Sequence, residues 1–544
     1  MTKSILTIIQ YLKKFLLVAF IFVSIQHINA QEKHEARFQT IDVINYKFAI
    51  ALTDETNEID VAAEIKIKFN KAIKDFYLDL VSKQSDNTGM AVESVMENNQ
   101  PISFSQNSNQ LLMNISLSKA NELRTYVIKY KGIPADGLII SKNKFGDRTF
   151  FGDNWPDRAK NWLPVVDHPS DKATVEWDIT APSHYQTIGG GLMIERTNID
   201  DKTTLTRWKM DTPIPTKVMV IGVARFAIEN LEEIYNIPVS SWVYPQDRDK
   251  GFKDYALALP ILDFMINHVG PYPFDKLANV QSKTLYGGME NAGNIFYNEN
   301  SITGNGDYEA VIAHEIAHQW FGDSASERNW YHVWLSEGFA TYFENLFYEN
   351  EYGRDSFVKK MKEDREKAIR YSKQSQSPIV DTTITDYLQL LSPNTYEKAS
   401  WVLHMLRKDL GDELFWKGIK KYYVTYKYNN ALSEDFQRVI EEISSKNLNS
   451  YFKQWLYQSG HPKLDISWNA NNDLIIEIKQ IQDNIFTFPI DMKIYFEDGS
   501  STIETISVSN KNQKVSFPIS KNIISVEPDP NTWLFFELNS LKQI

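Results

Sequence analysis

The pattern that most constrains this chain is a pair of histidines one helical turn apart. The chain reads His-Glu-Ile-Ala-His from His314 to His318, and Glu337 follows in Trp-Leu-Ser-Glu-Gly. In a helix, residues at positions i and i+4 lie on the same face, so both imidazoles can reach one metal ion at about 2.0–2.1 Å. The segment is therefore expected to be a helix, and Glu337 is expected to return to it.

Apolar spacing predicts these helices independently of the metal. Val311, Ile312 and Ile316 give the first segment an apolar face, and Gly322 is a residue type that ends helices. A second helix from Trp334 to about Tyr348 would carry Glu337 back to the histidines. We therefore predict two packed helices that share one site.

The residue types in this site predict a catalytic zinc centre. The chain has no cysteine, so a metal depends on His, Asp or Glu ligands. One Zn²⁺ per chain held by His314, His318 and Glu337 would keep its fourth tetrahedral position open for water. Glu315 lies beside the ligands, where it can act as general base on that water. The alternative is that the histidines are satisfied core residues and the glutamates are exposed acids.

Hydrophobic periodicity divides the chain, whose 544 residues exceed the usual length of one domain. Short alternating stretches over residues 37–224 indicate antiparallel strands. The apolar spacing lengthens to the helical period between residues 255 and 456, and strand-like runs return after Gly460. We predict a signal peptide at 1–30, a β-rich domain at 31–245, a mostly helical catalytic domain at 246–463 and a β-sandwich at 464–544.

The first 30 residues have the composition of a secretory signal peptide. Lys3, Lys13 and Lys14 precede an apolar run at residues 15–25, and Ala30 is a small residue at the expected cleavage point. The run is shorter than the ~20 residues that span a bilayer, and an uncleaved anchor is the alternative. We predict export to a periplasmic or extracellular space, with no stable membrane span after cleavage.

The net charge of the chain argues against nucleic acid as a partner. Removing residues 1–30 takes away three lysines and no acid, so the formal net charge changes from -12 to -15. Such an acidic chain lacks the basic surface that binds phosphates, so we predict no nucleic-acid partner. The sequence does not indicate an oligomeric state.

A second motif, Tyr-Gly-Gly-Met-Glu-Asn at residues 286–291, stands upstream of the metal helix. With it, the chain resembles the gluzincin aminopeptidases, the zinc family typified by aminopeptidase N and leukotriene hydrolase. The resemblance implies that the motif is an edge strand along which a peptide pairs its backbone. The substrate-binding residues that it implies are Gly287, Gly288, Met289, Glu290 and Asn291.

By the same resemblance, Glu290 holds the free α-ammonium of the substrate. Physical reasoning agrees, because a peptide amine is cationic near neutral pH and a fixed carboxylate near the metal selects the first residue of a chain. Peptides with a free N-terminus are the predicted partners. The alternative is an ordinary turn at residues 287–288 and an exposed Glu290.

Tyr396 completes the predicted catalytic set. It precedes Glu397-Lys398-Ala399 and matches the tyrosine of the family's Tyr-x-Lys-Gly, which donates a hydrogen bond to the oxyanion of the tetrahedral intermediate. Here Ala399 replaces the glycine. A core or surface role is the alternative for Tyr396.

Further matches extend the resemblance over most of the chain. Residues 163–173 resemble the Pro-x-x-Asp-x-Pro-x-x-Lys-Ala segment of the family's N-terminal domain, and Gly460-His461-Pro462 resembles its Gly-Tyr-Pro. The implied fold is multidomain α+β, with an N-terminal β-saddle, a thermolysin-like and mostly helical catalytic domain, and a C-terminal β-sandwich. The active site is expected between the first two.

Three departures from the family pattern limit what carries over. Residues 153–157 read Asp-Asn-Trp-Pro-Asp, where relatives usually place a glutamine that helps hold the amine. Ser336 stands where asparagine is common. The large C-terminal helical domain of many relatives does not follow the sandwich, so we expect a more open site without the carboxylate-binding residues that this domain supplies in some relatives.

The leading hypothesis is an exported zinc aminopeptidase. A hydrolase of the same superfamily that acts on a non-peptide electrophile, such as a lipid epoxide, would have the same site. A non-catalytic relative that serves as a binding module is the third hypothesis. The preferred first residue depends on a pocket assembled from scattered positions, which a linear sequence does not reveal.

Overall fold

The computed structural model describes residues 37–471, 473–518 and 520–544. The predicted signal peptide at residues 1–30 lies outside these ranges. Within them, the helices are all too short or too polar to cross a bilayer.

The N-terminal unit is built of strands, as the alternating pattern predicts. Val61, Ala63 and Ile65 are buried on one face while Asp60 and Glu64 face solvent, which is the period of a half-buried strand. The strands are β1 Ile41–Ala51, β2 Ile59–Phe69, β3 Asp75–Asp79, β4 Gly89–Glu97, β5 Gln100–Pro101, β6 Phe104–Asn107, β7 Gln110–Asn114, β8 Glu122–Ile133, β9 Leu138–Lys142, β10 Arg148–Gly152, β11 Lys172–Pro182, β12 Gln186–Gly189, β13 Leu192–Asn198, β14 Thr203–Pro215 and β15 Ile221–Ala224. They form an eight-stranded sheet in the order β13-β14-β11-β1-β2-β8-β4-β5, a four-stranded sheet β12-β15-β10-β9 and a three-stranded sheet β3-β7-β6.

A five-stranded mixed sheet opens the catalytic unit. Its strands are β16 Ala227–Asn230, β17 Val239–Val243, β18 Leu277–Ser282, β19 Gly288–Met289 and β20 Asn294–Asn298, in the order β16-β17-β18-β20-β19. β17, β18 and β20 are parallel, and β16 and β19 are antiparallel edge strands. The predicted boundary between residues 245 and 246 falls after β17, whereas the sheet begins at Ala227, because β17 pairs with a strand more than thirty residues downstream.

Helices make up the rest of the catalytic unit. They are α1 Arg248–Tyr255, α2 Ala258–His268, α3 Glu309–His318, α4 Trp334–Tyr352, α5 Arg354–Ser372, α6 Ala399–Leu410, α7 Asp412–Tyr426, α8 Ser433–Ser444 and α9 Asn449–Leu456, with a short β21 Ala325–Glu327 paired to β22 Asn429–Ala431. The two helices predicted around the metal motif are confirmed as α3 and α4. α4 continues to Tyr352, four residues beyond the expected end.

The C-terminal unit contains a four-stranded and a three-stranded sheet. Its strands are β23 Lys463–Ala470, β24 Asp473–Gln480, β25 Phe488–Phe496, β26 Ser501–Val508, β27 Asn512–Pro518, β28 Ile523–Pro528 and β29 Glu537–Gln543. The sheets have the orders β27-β24-β23-β29 and β26-β25-β28. Ile466 and Ile476 of the first sheet and Ile490 and Met492 of the second are buried in one core.

Buried charged groups join the N-terminal and catalytic units. Lys217 Nζ lies 2.7 Å from Glu327 Oε1, and both side chains are almost fully buried. Lys172 Nζ donates to the carbonyl oxygens of Asp323 and Ser324. Breaking one partner of such a pair leaves an uncompensated buried charge, so this joint is expected to be rigid.

Candidate active site

Helices α3 and α4 bring the three predicted metal ligands to one point. His314 Nε2 and His318 Nε2 are 3.1 Å apart, and Glu337 Oε2 lies 3.3 Å from the first and 3.2 Å from the second. Ligand atoms placed tetrahedrally about one ion at 2.0–2.1 Å are about 3.3–3.4 Å apart. The three atoms therefore fit a single ion the size of zinc.

The outer nitrogen of His318 is held by Ser336 and a backbone carbonyl. His318 Nδ1 lies 3.0 Å from Ser336 Oγ and 3.1 Å from the oxygen of Phe321. Ser336 Oγ also donates to that oxygen at 3.3 Å, so its proton is already used. The proton of the ring therefore belongs on Nδ1, which leaves the Nε2 lone pair for a metal. Ser336, at the position where asparagine is common in the family, thus hydrogen-bonds His318 directly.

The outer nitrogen of His314 faces a carboxylate instead. His314 Nδ1 lies 3.5 Å from Glu344 Oε2, and the other oxygen of Glu344 is 2.6 Å from Lys360 Nζ. A carboxylate behind a metal-binding histidine orients the ring and raises its basicity. Sequence reasoning missed Glu344, although it follows Glu337 by seven residues on the same face of α4 and that spacing could have revealed it.

Glu315 lies at the cavity wall beside the edge strand β19. A Cβ atom added to Gly288 would come within 2.4 Å of Glu315 Oε1, so only glycine allows the strand to pass this close. Burial raises the pKa of the Glu315 carboxyl, against the lowering effect of the neighbouring His314 and His318. A carboxyl whose pKa is raised in this way is suited to exchange protons near neutral pH.

Glu290 follows β19 and has a buried side-chain oxygen without a hydrogen-bond partner among the described residues. Its backbone oxygen accepts a hydrogen bond from Gln319 Nε2 at 2.7 Å, whereas its side-chain Oε1 has no hydrogen-bond partner among the described residues. The carboxylate lies within 4.8 Å of the ligand atoms of Glu315 and His318. A buried carboxylate oxygen without a partner is costly, so the position favours a cationic ligand.

The remaining residues of the motif divide between the cavity and the core. Gly287, Gly288 and Met289 line the cavity together with Glu290. Asn291 is fully buried and is not among the residues that line the cavity. Its direct role in substrate binding stays a prediction.

Tyr396 stacks on His314, one of the three predicted metal ligands. Its ring is 5.8 Å from the imidazole of His314, centroid to centroid, and the two planes differ by 6°. Burial, and then the charges of Glu337 and Glu290, raise the pKa of Tyr396 well above its ordinary value. The phenol therefore stays protonated and can donate a hydrogen bond.

The alanine that replaces the family glycine after Tyr396 has a packing partner. A Cβ atom added to Gly338 would lie 2.5 Å from the Cβ of Ala399. Gly338, the residue after the ligand Glu337, therefore leaves room for the Ala399 methyl group. The departure at Ala399 is accommodated without displacing Tyr396.

One cavity of about 660 Å³ connects these groups. Trp155 and Tyr286 form one wall, where Trp155 is contributed by the N-terminal unit and packs edge to face on Tyr286. Lys367 and Arg370 of α5 line another part of the wall. No motif marks Lys367 or Arg370, because only the folding of the chain brings α5 to the cavity.

Two family models match the chain. The peptidase M1 N-terminal domain matches residues 42–218, and the peptidase family M1 domain matches residues 256–455. The chain belongs to peptidase family M1. The predicted resemblance to the gluzincin aminopeptidases is thereby confirmed for the family, and the matched M1 domain contains α3, α4 and Tyr396.

The M1 chain is similar to several curated aminopeptidases. It is 30% identical over 345 residues to glutamyl aminopeptidase of Homo sapiens, and this match covers 59% of this chain and 35% of that protein. It is 27% identical over 329 residues to probable aminopeptidase 2 of Sulfurisphaera tokodaii, with 58% and 42% covered. Aminopeptidase N of Oryctolagus cuniculus is 28% identical over 352 residues, with 58% and 36% covered. The chain thus spans well under half the length of these relatives.

Proposed function

We propose that this chain is a zinc-dependent aminopeptidase that hydrolyses the first peptide bond of peptides with a free N-terminus. The observation that carries the proposal is Glu290, a buried carboxylate with an unpartnered oxygen beside a three-ligand cluster. A substrate ammonium would satisfy that oxygen and place the first carbonyl of the peptide next to the cluster. The names of the similar proteins support the same activity.

His314, His318 and Glu337 would hold the zinc ion. Zinc at this position would polarise a carbonyl and lower the pKa of water. Ser336 and Glu344 would keep the two imidazoles in the tautomer and orientation that binding requires.

The other residues of the site would handle protons and charge. Glu315 accepts a proton from the attacking water and passes it to the leaving amine. Tyr396 donates its phenolic hydrogen to the developing oxyanion, which a buried donor stabilises more strongly than water would. Glu290 fixes the ammonium, so that the first carbonyl and no later one lies at the reacting position.

The domain division and the destination of the protein are part of the proposal. We propose the division into a β-saddle at residues 31–245, a thermolysin-like catalytic domain at 246–463 and a β-sandwich at 464–544. The strand-rich N-terminal unit, the helices that follow the mixed sheet and the two C-terminal sheets support this division. The composition of residues 1–30 supports export.

The test of this mechanism is the substitution Glu315→Gln. The variant should bind zinc at one ion per chain and lose about 10²–10⁴-fold in kcat on aminoacyl arylamides, the range that general base catalysis contributes. Glu309→Gln is the matched control, since Glu309 lies on the same helix and pairs with Tyr352 at the surface. Full turnover by Glu315→Gln, or no hydrolysis by the zinc-loaded wild-type protein, would contradict the proposal.

A further inference from the structure

The wall of the cavity formed by α5 differs in charge from the rest. Among the described residues, Lys367 and Arg370 are the basic side chains that line the cavity apart from the histidines, and both are on α5. Residues three apart lie on one face of a helix, so both cations project from the same face. The acidic residues that line the cavity are Glu290, Glu315, Glu337, Glu344, Glu363, Asp364 and Glu397.

The basic pair lies next to Tyr396. Lys367 Nζ forms an ion pair with Glu397, the residue that follows Tyr396 in the chain. Tyr396 in turn stacks on His314. α5 therefore borders the side of the ligand cluster that carries His314.

The predicted ammonium site lies beside His318. A carboxylate oxygen of Glu290 is within 4.8 Å of the ligand atoms of Glu315 and His318, whereas α5 approaches the cluster through Glu397 and Tyr396, and Tyr396 stacks on His314. A peptide with its first residue at Glu290 and its first carbonyl at the cluster would direct its later residues towards α5. The cavity of about 660 Å³ is large enough for such a short peptide.

Arg370 is available to a ligand on this path. Its guanidinium lies 3.7 Å from Glu366, and the two side chains are 67% and 72% exposed. An exposed pair at this distance contributes little stability, so exchanging Glu366 for another carboxylate costs little. The planar guanidinium matches a carboxylate with two parallel hydrogen bonds, which a lysine cannot offer.

We propose that Arg370, with Lys367 beside it, binds a carboxylate of the substrate on the far side of the scissile bond. The proposal rests on the aminopeptidase function proposed above. The carboxylate belongs either to the C-terminus of a di- or tripeptide or to an acidic side chain near the amino end of a longer peptide. Either source makes the enzyme prefer anionic leaving peptides.

The test compares substrates that differ only in this charge. The zinc-loaded full chain is assayed on a tripeptide with a free C-terminus and on its C-terminal amide. The ratio of kcat/KM, acid over amide, should be about two- to fivefold in the wild-type protein, which is the range that an ion pair to a largely exposed guanidinium contributes. Arg370→Gln should bring the ratio close to one, and Lys367→Gln should lower it less. Lys362→Gln is the control, because Lys362 is exposed on α5 and outside the cavity wall.

A second pair of substrates separates the two sources of the carboxylate. Amidated pentapeptides with glutamate or glutamine at the second or third position test an acidic side chain. A response of either ratio to Arg370→Gln supports the proposal and identifies the source. If the wild-type protein cleaves all these peptides with both ratios near one, or if Arg370→Gln changes neither ratio, the carboxylate site is overturned and the aminopeptidase function stands. If no peptide is cleaved, both proposals fail.

Discussion

The two histidines of the ligand cluster lie in opposite surroundings. On the His318 side, the buried Ser336 and the backbone oxygen of Phe321 hold the ring. The buried Glu290 on this side has a side-chain oxygen without a hydrogen-bond partner among the described residues. On the His314 side the ring faces the ion pair of Glu344 and Lys360, and beyond it lies the more exposed α5. We infer that the two sides bind different parts of the substrate. The buried side would bind the ammonium that all free peptides share, and the α5 side would bind the residues that differ from one peptide to the next.

The largest effect that separates the two sides is expected from Tyr396→Phe. Loss of one buried donor to an oxyanion typically costs about 10²–10³ in kcat. Zinc content should not change, since Tyr396 stacks on His314 without being one of the three ligands. Rate measurements on an aminoacyl arylamide test this, with Tyr352→Phe as a control for a surface tyrosine bonded to Glu309. Wild-type kcat in Tyr396→Phe would remove its assigned role.

Glu290→Gln probes the buried side directly. Removing the charge leaves the substrate ammonium without its partner, and truncating one partner of a buried charge pair costs about 2–5 kcal/mol. We expect kcat/KM on aminoacyl arylamides to fall about 10²-fold with zinc still bound. An unchanged kcat/KM would show that the ammonium is held elsewhere and that the two sides do not differ as described.

Metal affinity should distinguish the two supports of the histidines. Glu344→Gln removes a carboxylate behind His314 and should weaken zinc binding about 10–100-fold in chelator competition, the usual cost of losing such a partner. Ser336→Ala should cost less than about tenfold, because the oxygen of Phe321 remains to accept the Nδ1 proton of His318. A larger loss for Ser336→Ala than for Glu344→Gln would reverse the comparison.

The parts of the site that could be predicted from sequence are those held by local periodicity. His314, Glu315 and His318 lie on one helix, and the helical spacing after Trp334 predicts the return of Glu337. Motif membership alone predicts a substrate-binding role for Asn291, which is fully buried and outside the cavity wall. Membership of a motif therefore does not by itself show which side chains line the cavity.

The parts that could not be predicted depend on contacts between distant segments. Trp155 enters the cavity from the N-terminal unit, and Arg370 enters it because α5 packs beside Tyr396. The mixed sheet begins before the predicted domain boundary for the same reason, since Val239 pairs with Leu277 across the intervening helices. Pairing between strands that are far apart in sequence leaves no local pattern.

The last prediction concerns the stability of the contact between α4 and the C-terminal unit. Tyr342 of α4 hydrogen-bonds His404, whose Nε2 donates to the oxygen of Thr532 in the C-terminal unit. Burial lowers the pKa of His404 to about 3, so the unfolded chain binds more protons than the folded one between about pH 3 and 6.5. The contribution of His404 to the free energy of unfolding is therefore complete above about pH 6.5, the pKa of the unfolded chain. It decreases as the pH falls below that value, by about 2 kcal/mol at pH 5.

Denaturant unfolding at pH 5 and pH 8 measures this effect. His404→Gln cannot titrate, so the difference in unfolding free energy between the two pH values should be smaller in the variant than in the wild-type protein. The same pH dependence in both proteins would show that the titration of His404 does not contribute to the pH dependence of the unfolding free energy. Activity per folded molecule should change little, because Tyr342, His404 and Thr532 are not among the residues that line the cavity.

The central claim is that the site cuts peptides from the free amino end with a bound zinc ion. Mass spectrometry of one peptide of defined sequence and of its N-acetylated twin, each incubated with the zinc-loaded protein, tests this directly. We expect stepwise loss of residues from the amino end of the free peptide, an intact acetylated peptide, and no cleavage after zinc is removed by a chelator. Internal cleavage, cleavage of the acetylated twin, or turnover that survives removal of zinc would contradict it.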